Sequence, residues 1–240
     1  MPPIQQLVTR TVTRMLFRSA VVSKAIPLSG HFRLIEIEGD RLKDVPWTPG
    51  QKIQIHLGNL VCRTYTPIDW DPIQGRMRFV AFLHGYGPGS DWAASLAEGE
   101  ACQFLGPRSS LDFAQPKKET IFFGDETSIG AAVAHQRGSQ DATQNTYVFE
   151  VSSLPEAQEV IRRLELQQAK LIVKAPGGKH LSEVEQEIAA AVRIAPRSQW
   201  IFTGNAQSIQ SIRKSLRHRH RTSGQISTKA YWAYGKKGLD

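Results

Sequence analysis

The feature that most constrains this chain is a change of hydrophobic period near residue 115. Before that point apolar side chains recur every second residue. His31–Glu38 carries Phe32, Leu34, Ile35 and Ile37, and Arg76–Leu83 carries Met77, Phe79 and Val80. In Lys52–Leu57, Ile53, Ile55 and Leu57 alternate with Lys52, Gln54 and His56, and Thr11–Val22 is rich in β-branched and apolar residues. Turn signals punctuate these runs at Pro27, Ser29-Gly30, Gly39-Asp40, Pro49-Gly50, Gly58-Asn59 and Gln74-Gly75. Period-two segments separated by Gly, Pro, Asn and Asp read as short strands, and many of them in succession suggest a closed antiparallel barrel. One short helix, Ser90–Leu96, is predicted after Gly87-Pro88-Gly89.

Beyond the change, strands and helices alternate. Thr120–Phe123, Thr146–Val151, Leu171–Lys174, Gln199–Phe202 and Gln225–Trp232 read as strands. Glu126–Gln136, Pro155–Leu164, a segment starting at Ser182 and Ala206–Arg219 read as helices. Ser182 followed by Glu185 has the spacing of a capping box, and Pro155 sits early in its helix, where a missing N–H does little harm. Such alternation predicts a parallel sheet with helices on its faces. The expected organisation is therefore an N-terminal barrel, residues 1–116, and a C-terminal α/β domain, residues 117–240, with the boundary in the polar stretch Gln115–Glu119 around Pro116.

Composition narrows the function classes. The 240 residues are 40% hydrophobic and 22% charged, as in folded soluble domains, and no apolar run approaches the ~18–20 residues of a membrane span. The first ten residues lack the apolar stretch of a secretory signal, so a cytoplasmic protein is expected. Two cysteines, Cys62 and Cys102, are too few for a disulfide framework and too far apart for a zinc finger. The net charge of +8 is unevenly spread. Ile188–Leu239 holds no Asp or Glu but ten basic residues, Arg193, Arg197, Arg213, Lys214, Arg217, Arg219, Arg221, Lys229, Lys236 and Lys237, so the rest of the chain sums to −2. A one-signed field of this kind concentrates anions. Nucleic acid, an acidic redox protein and a polyanionic small molecule all fit that charge.

Two local motifs point to a nucleotide. In Arg63-Thr64-Tyr65-Thr66 the Arg offers a bidentate fork for a pyrophosphate. The Tyr, two positions on, points the same way along a strand and offers a flat ring, and Thr66 adds a hydroxyl for the ring edge of a flavin. In His84-Gly85-Tyr86-Gly87-Pro88-Gly89-Ser90-Asp91-Trp92-Ala93, three glycines let backbone approach a ligand, and Ser90 stands where a helix N-cap would be. The free N–H groups at that helix start suit a pyrophosphate, with His84 and Trp92 flanking an aromatic ring. A barrel followed by a parallel nucleotide-type domain is one arrangement that flavin reductases use.

Arg63-x-Tyr65-Thr66, His84-Gly-x-Gly-Pro-x-Ser-x-Trp-Ala, Gly106-Pro107-Arg108, Gly124-Asp125-Glu126-Thr127 and Lys229-Ala230-Tyr231-Trp232 with Gly235-Lys236 together resemble the siderophore-interacting protein family. These are FAD-containing ferric-siderophore reductases of the ferredoxin-reductase superfamily. The resemblance implies a six-stranded flavin barrel followed by a nicotinamide-binding parallel-sheet domain. It implies that Arg63, Thr64, Tyr65, Thr66, His84, Gly87, Gly89, Ser90 and Trp92 hold FAD. It also implies that Gly124, Asp125, Glu126 and Thr127 lie where a dinucleotide binds at the end of a parallel strand. The second part contains no Gly-x-Gly-x-x-Gly, and where family members carry a Pro after Gly-Asp-Glu-Thr this chain reads Ser128-Ile129-Gly130-Ala131. The electron donor therefore stays open among NADH, NADPH and reduced ferredoxin. Glu150 at a strand end is a candidate acceptor for a ribose hydroxyl.

The implied reaction moves an electron onto Fe(III) held by hard oxygen ligands, which bind Fe(II) far less tightly. It needs no acid, base or nucleophile from the protein, and no resident metal. What the protein must add is a cationic dock for an anionic ferric siderophore. Lys52, Lys229 and Lys236 are the residues expected to form it. Tyr231 and Trp232 stand near the chain end, where this superfamily often covers its flavin with an aromatic ring. Two other readings stay open at this point. One is a general flavin or ferredoxin-type oxidoreductase with a non-iron acceptor. The other is a basic module for nucleic acid or an acidic protein built on Arg213–Arg221, although no aromatic residues interleave with that run.

Overall fold

A computed structural model of the chain describes residues 17–236 apart from 59–60, 112, 114–118, 140–144, 167 and 220–225, and leaves out the side chains of 218–219. The first part of the expected strand Thr11–Val22, most of the boundary Gln115–Glu119, and the basic residues Arg221 and Lys237 lie outside the described residues.

The N-terminal half is one antiparallel sheet of seven strands: β1 (Arg18–Ser29), β2 (Phe32–Glu38), β3 (Lys52–His56), β4 (Cys62–Tyr65), β5 (Pro67–Asp71), β6 (Arg76–Phe82) and β7 (Ala101–Arg108). Their order is β4-β3-β7-β1-β2-β6-β5. The expected count was six. The seventh arises because one run, Cys62–Asp71, breaks at Thr66. Its first half pairs with β3 and its second with β6, so a corner at Thr66 carries the chain from one sheet edge to the other. Pro67 follows the corner and has no N–H for the ladder. Pairing resumes with a register shift between Pro67 and Asp69. Inward-facing Ile35, Ile37, Ile53, Ile55, Met77, Phe79 and Phe104 are fully buried and fill the interior. Each buried side chain of this size contributes roughly 1.5–3 kcal/mol of transfer free energy.

The C-terminal half is a parallel sheet, β8 (Thr120–Asp125), β9 (Thr146–Val151), β10 (Ala169–Val173), β11 (Gln199–Asn205) and β12 (Ile226–Trp232), ordered β10-β9-β8-β11-β12. The helices are α1 (Pro88–Ser95), between β6 and β7, and then α2 (Ile129–Gly138), α3 (Leu154–Arg163), α4 (Leu181–Ile194) and α5 (Ala206–Arg219). β8 is buried at every position, as a central parallel strand covered on both faces should be. The expected capping box at α4 does not form around Ser182. The helix begins one residue earlier, and the Ser182 hydroxyl donates to the Lys179 carbonyl.

The two sheets share a core. Phe32, Ile68, Leu111 and Phe113 pack with Phe122, Ile129 and Tyr147 in one apolar cluster. Polar ties reinforce it. Asp69 on β5 accepts from Arg78 and from Arg137 of α2. Glu156 of α3 accepts from Ser29 Oγ and from the His31 backbone N–H at 2.8 Å. This interface fixes how the N-terminal corner at Thr66 faces β12.

Candidate functional site

The Arg63–Thr66 tetrad forms β4 and its corner. Cross-strand pairing sets Arg63 against Ile55 and Tyr65 against Ile53, so both side chains share the face of those two buried residues, while Thr64 pairs with Gln54 on the other face. The Arg63 chain lies across α1. A Cβ on Gly89 would sit 2.8 Å from Arg63 Cγ, so only glycine admits that approach. Among the described residues the guanidinium donates to the adjacent Cys62 carbonyl at 2.7 Å, and it has further donors to offer. His84 lies close enough that burial and the Arg63 charge both hold its imidazole below the usual histidine range.

The Gly-rich stretch departs from expectation in one detail. The helix starts at Pro88, so the N-cap is Gly87, with φ 87°, and no side chain caps it. Ser90 is inside the first turn and buried, and its hydroxyl accepts from the Gly85 N–H at 3.2 Å, tying down the loop. The first-turn N–H groups of α1 are therefore left without a side-chain cap, beside an arginine with spare donors. At its other end α1 is held by Arg33 of β2, whose Nη1 donates to the carbonyls of Ala93, Ala94 and Leu96. A cation on the C-terminal carbonyls also complements the helix dipole. Nothing in the sequence around Arg33 signals this role, because its partners are about 60 residues away.

Trp92 is packing as much as lining. Its ring stacks at 8° on Phe79 and stands 6.2 Å from Tyr65, whose own ring is 4.7 Å from Phe79. Tyr65 is half-buried, and desolvation pushes its phenol up. One side of the ring thus belongs to the core.

The corner residue Thr66 meets the other sheet. Gly130 at the start of α2 packs near its carbonyl, and the buried Tyr231 hydroxyl of β12 lies beside its side chain, short of a regular hydrogen bond. Along β12, Thr228 and Ala230 face α5, so Lys229 shares the opposite face with Tyr231. Lys52 opens β3 one residue outside the Ile53–Tyr65 pair, level with Thr66. Lys229 thus lies on the Tyr231 side of β12, whereas Lys52 is on the strand face of Gln54 and Thr64. Lys236 is exposed beyond Gly235.

Gly124–Thr127 reads differently once folded. Asp125 is fully buried and accepts from the Thr127 N–H at 2.9 Å and from Trp232 Nε1 at 2.6 Å. Burial pushes its carboxyl up to about 6, against the opposing pull of Lys174. Gly204 is required next to it, since a Cβ there would come within 2.6 Å of Asp125 Cγ at a φ of +92°. Glu126 is buried too and accepts from the Ser152 N–H and from Lys174 Nζ, which also stands 5.9 Å over the Trp232 ring. Only Thr127 is exposed. Asp125 and Glu126, expected as cofactor ligands, spend their oxygens inside the protein and position the end of β12. Glu150, the candidate ribose acceptor, is likewise buried. It takes hydrogen bonds from His180 Nε2 at 2.8 Å and Ser208 Oγ at 3.0 Å, while His180 Nδ1 accepts from the Ala175 N–H. Lys174, His180 and Ser208 carried no sequence signal of this, because their partners lie on other strands.

The donor set at Arg63, Gly87 and Gly89 fits a dinucleotide pyrophosphate: a guanidinium with spare donors, uncapped helix N–H groups and glycines that keep the approach open. Residues 58–111 match the model of the siderophore-interacting FAD-binding domain, and residues 117–235 match that of the siderophore-interacting protein. A search of curated protein sequences found no match. Among solved structures, the siderophore-interacting protein SipS from Aeromonas hydrophila is 20% identical with a TM-score of 0.75, covering 92% of this chain and 93% of its own. A siderophore utilization protein from T. fusca is 20% identical with a TM-score of 0.70, covering 93% and 95%. The flavohem-like FAD/NAD binding domain of nitric oxide dioxygenase from Vibrio cholerae O1 biovar El Tor is 16% identical with a TM-score of 0.69, covering 90% and 98%. At these identities the neighbours establish a shared fold, of the ferredoxin-reductase type. No helix among the described residues is long and apolar enough to cross a membrane. With its two family models spanning most of its length, the chain belongs to the siderophore-interacting protein family.

Proposed function

We propose that this protein is an FAD-dependent ferric-siderophore reductase, taking electrons from NADH, NADPH or a reduced ferredoxin and releasing iron as Fe(II). The observation that carries the reading is the junction where Thr66 of the Arg-x-Tyr-Thr motif meets Tyr231, with Lys229 on the same face of β12 and Lys52 level with Thr66 on β3. On this reading the strand that carries Arg63 and Tyr65 ends where β12 brings Lys229 and Tyr231, and Lys52 approaches from the neighbouring strand end.

When bound, FAD would supply the step between a two-electron donor and one-electron reduction of iron. The protein's part is binding and placement. Arg63 and the N–H groups of Gly87 and Gly89 hold the pyrophosphate. The Tyr65 face and the Thr66 hydroxyl orient the ring, and His84 and Ser90 fix the loop. Thr64 lies on the opposite strand face, beside Gln54, and supports the strand rather than the ligand. Asp125, through Trp232, sets where Tyr231 and Lys229 sit. Lys229 and Lys52, with Lys236 beyond them, receive the anionic ferric complex. The two carboxylates beside Trp232 are closed off by Lys174 and Thr127, so they do not repel that anion directly.

The test is charge reversal. Lys229→Glu is expected to raise KM for an anionic ferric siderophore about tenfold or more, with kcat nearly unchanged and little effect on a neutral ferric chelate. Equal effects on both chelates would remove the lysine from the dock. The neighbouring reading, a flavin reductase with a non-iron acceptor, is favoured instead if cytochrome or free flavin turns over faster than every ferric siderophore tried.

A further inference from the structure

A second basic region lies on the other face of β12 and has no part in the reading above. α5 and β12 enclose a shallow groove of about 750 Å³, with Arg213, Lys214 and Arg217 on its helical wall, Thr228 on its strand wall, and Ile209 and Ala230 in its floor. We infer that this groove docks an extended acidic segment of a partner protein.

Three observations support it. The first is charge left unbalanced. Several cations elsewhere are paired, such as Arg78 and Arg137 with Asp69, Lys174 with Glu126, and Arg162 with Glu159. Neither α5 nor β12 contains an Asp or Glu, and no carboxylate among the described residues pairs with Arg213, Lys214 or Arg217. Arg213 Nε is moreover shielded from solvent without an acceptor among the described residues. The second observation is spacing. Arg213 and Arg217 stand about one helical turn apart on one side of α5, a rise of roughly 5.4–6 Å. Alternate residues of an extended chain repeat at about 6.6 Å, so carboxylates at every second position meet both guanidinium forks. The third is the strand. β12 is the outermost strand of its sheet and pairs with β11 alone among the described residues, so an extended segment in the groove has a strand end-member to run beside, as in strand-addition complexes.

The same features disfavour nucleic acid. Among the described residues no aromatic ring lines the groove. Trp200 and Phe202 are buried in the core, and Trp232 is turned to Asp125. A nucleobase would find phosphate partners but nothing to stack on. The apolar floor of Ile209 and Ala230 instead suits small side chains alternating with the acidic ones. A segment bound here lies on the face of β12 opposite Lys229 and Tyr231, close to the junction without covering it.

The experiment uses the full chain and a fluorescein-labelled ten-residue peptide of alternating Glu and Val, read by fluorescence anisotropy. Wild type is expected to bind it, and Arg213→Glu with Arg217→Glu to weaken binding about tenfold or more. Arg193→Glu with Arg197→Glu makes the same charge change at exposed positions outside the groove and is expected to shift binding less than about twofold. Arg213→Gln with Arg217→Gln, expected to weaken binding less than the reversal, covers the case in which reversal unfolds the helix; far-UV circular dichroism reports that. Equal losses in the groove and control variants, or no binding by wild type, would overturn the proposal. So would tighter, groove-dependent binding of a dT ten-mer, which would identify the site as one for nucleic acid.

Discussion

Two glycine-bearing corners read as nucleotide sites in the sequence, Gly85–Gly89 in the first half and Gly124–Thr127 in the second, and the fold treats them in opposite ways. At the first, donors outnumber acceptors. Arg63 spends one bond on a neighbouring carbonyl, α1 starts uncapped, and the loop opens outward. At the second, donors and acceptors are matched within the protein. Asp125 takes Thr127 and Trp232, Glu126 takes Lys174 and the Ser152 N–H, and Glu150 takes His180 and Ser208. A ligand site needs polar groups with capacity left over, whereas a buried and satisfied network rigidifies and positions. Glycine serves both corners for different reasons: access for a ligand at one, room for a carboxylate at the other.

The sharpest way to break this contrast is to add a methyl group at each. Gly204→Ala places a Cβ against the buried Asp125 carboxyl at a left-handed φ, and a loss of about 2–4 kcal/mol is expected by urea denaturation. Gly85→Ala also has a positive φ but meets nothing within 4 Å, and about 1 kcal/mol is expected. Similar losses at the two positions would erase the distinction. Next in size, Arg63→Ala should weaken FAD binding by about 10–100-fold, measured by titrating the apoprotein, with the urea midpoint close to wild type. Unchanged FAD affinity would mean that the open corner does not hold the pyrophosphate.

A smaller effect separates the corners by pH. The folded-state carboxyl of Asp125 is raised to about 6 from an ordinary 3.8. The cost of ionising it in the folded state therefore grows as pH rises from about 4 to about 6. His135, buried against Phe113 and Tyr147 and held down to about 4 from 6.5, tilts stability the other way, rising over pH 4–6.5. The measurement is thus the difference between wild type and Asp125→Asn. The variant should gain relative stability as pH rises from 4 to 6, and the Trp232 fluorescence titration near pH 6 should vanish with it. A flat difference curve would show that Asp125 is ionised throughout.

Most of the fold could be read from residue order. The period change near residue 115 marks the switch from antiparallel to parallel pairing, and β2, β3, β6 and the five later strands fall close to their expected places. β7 was missed because Ala101–Arg108 ends in Gly-Pro-Arg and shows no clean alternation. The extra strand arose from Pro67, whose effect is to split one run at Thr66 and so create the corner that meets Tyr231. At the candidate site, Arg63, Gly87 and Gly89, the residues proposed to hold the pyrophosphate, stand out in the sequence because each belongs to a short motif. Arg33, Lys174 and His180 do not, since each works on groups brought near only by the sheets. The internal partners of Asp125 and Glu126 were hidden for a related reason: an acidic residue after a parallel strand looks the same in sequence whether its oxygens face a ligand or a buried indole.

The central claim is most directly tested by following iron and flavin together. The purified chain, loaded with FAD and chemically reduced without oxygen, is mixed with a ferric siderophore in the presence of a colorimetric Fe(II) chelator. The account predicts return of the oxidised flavin spectrum with Fe(II) appearing in step, slowed when Lys229 is reversed. Flavin that stays reduced beside the ferric complex, yet is oxidised at once by cytochrome, would contradict it.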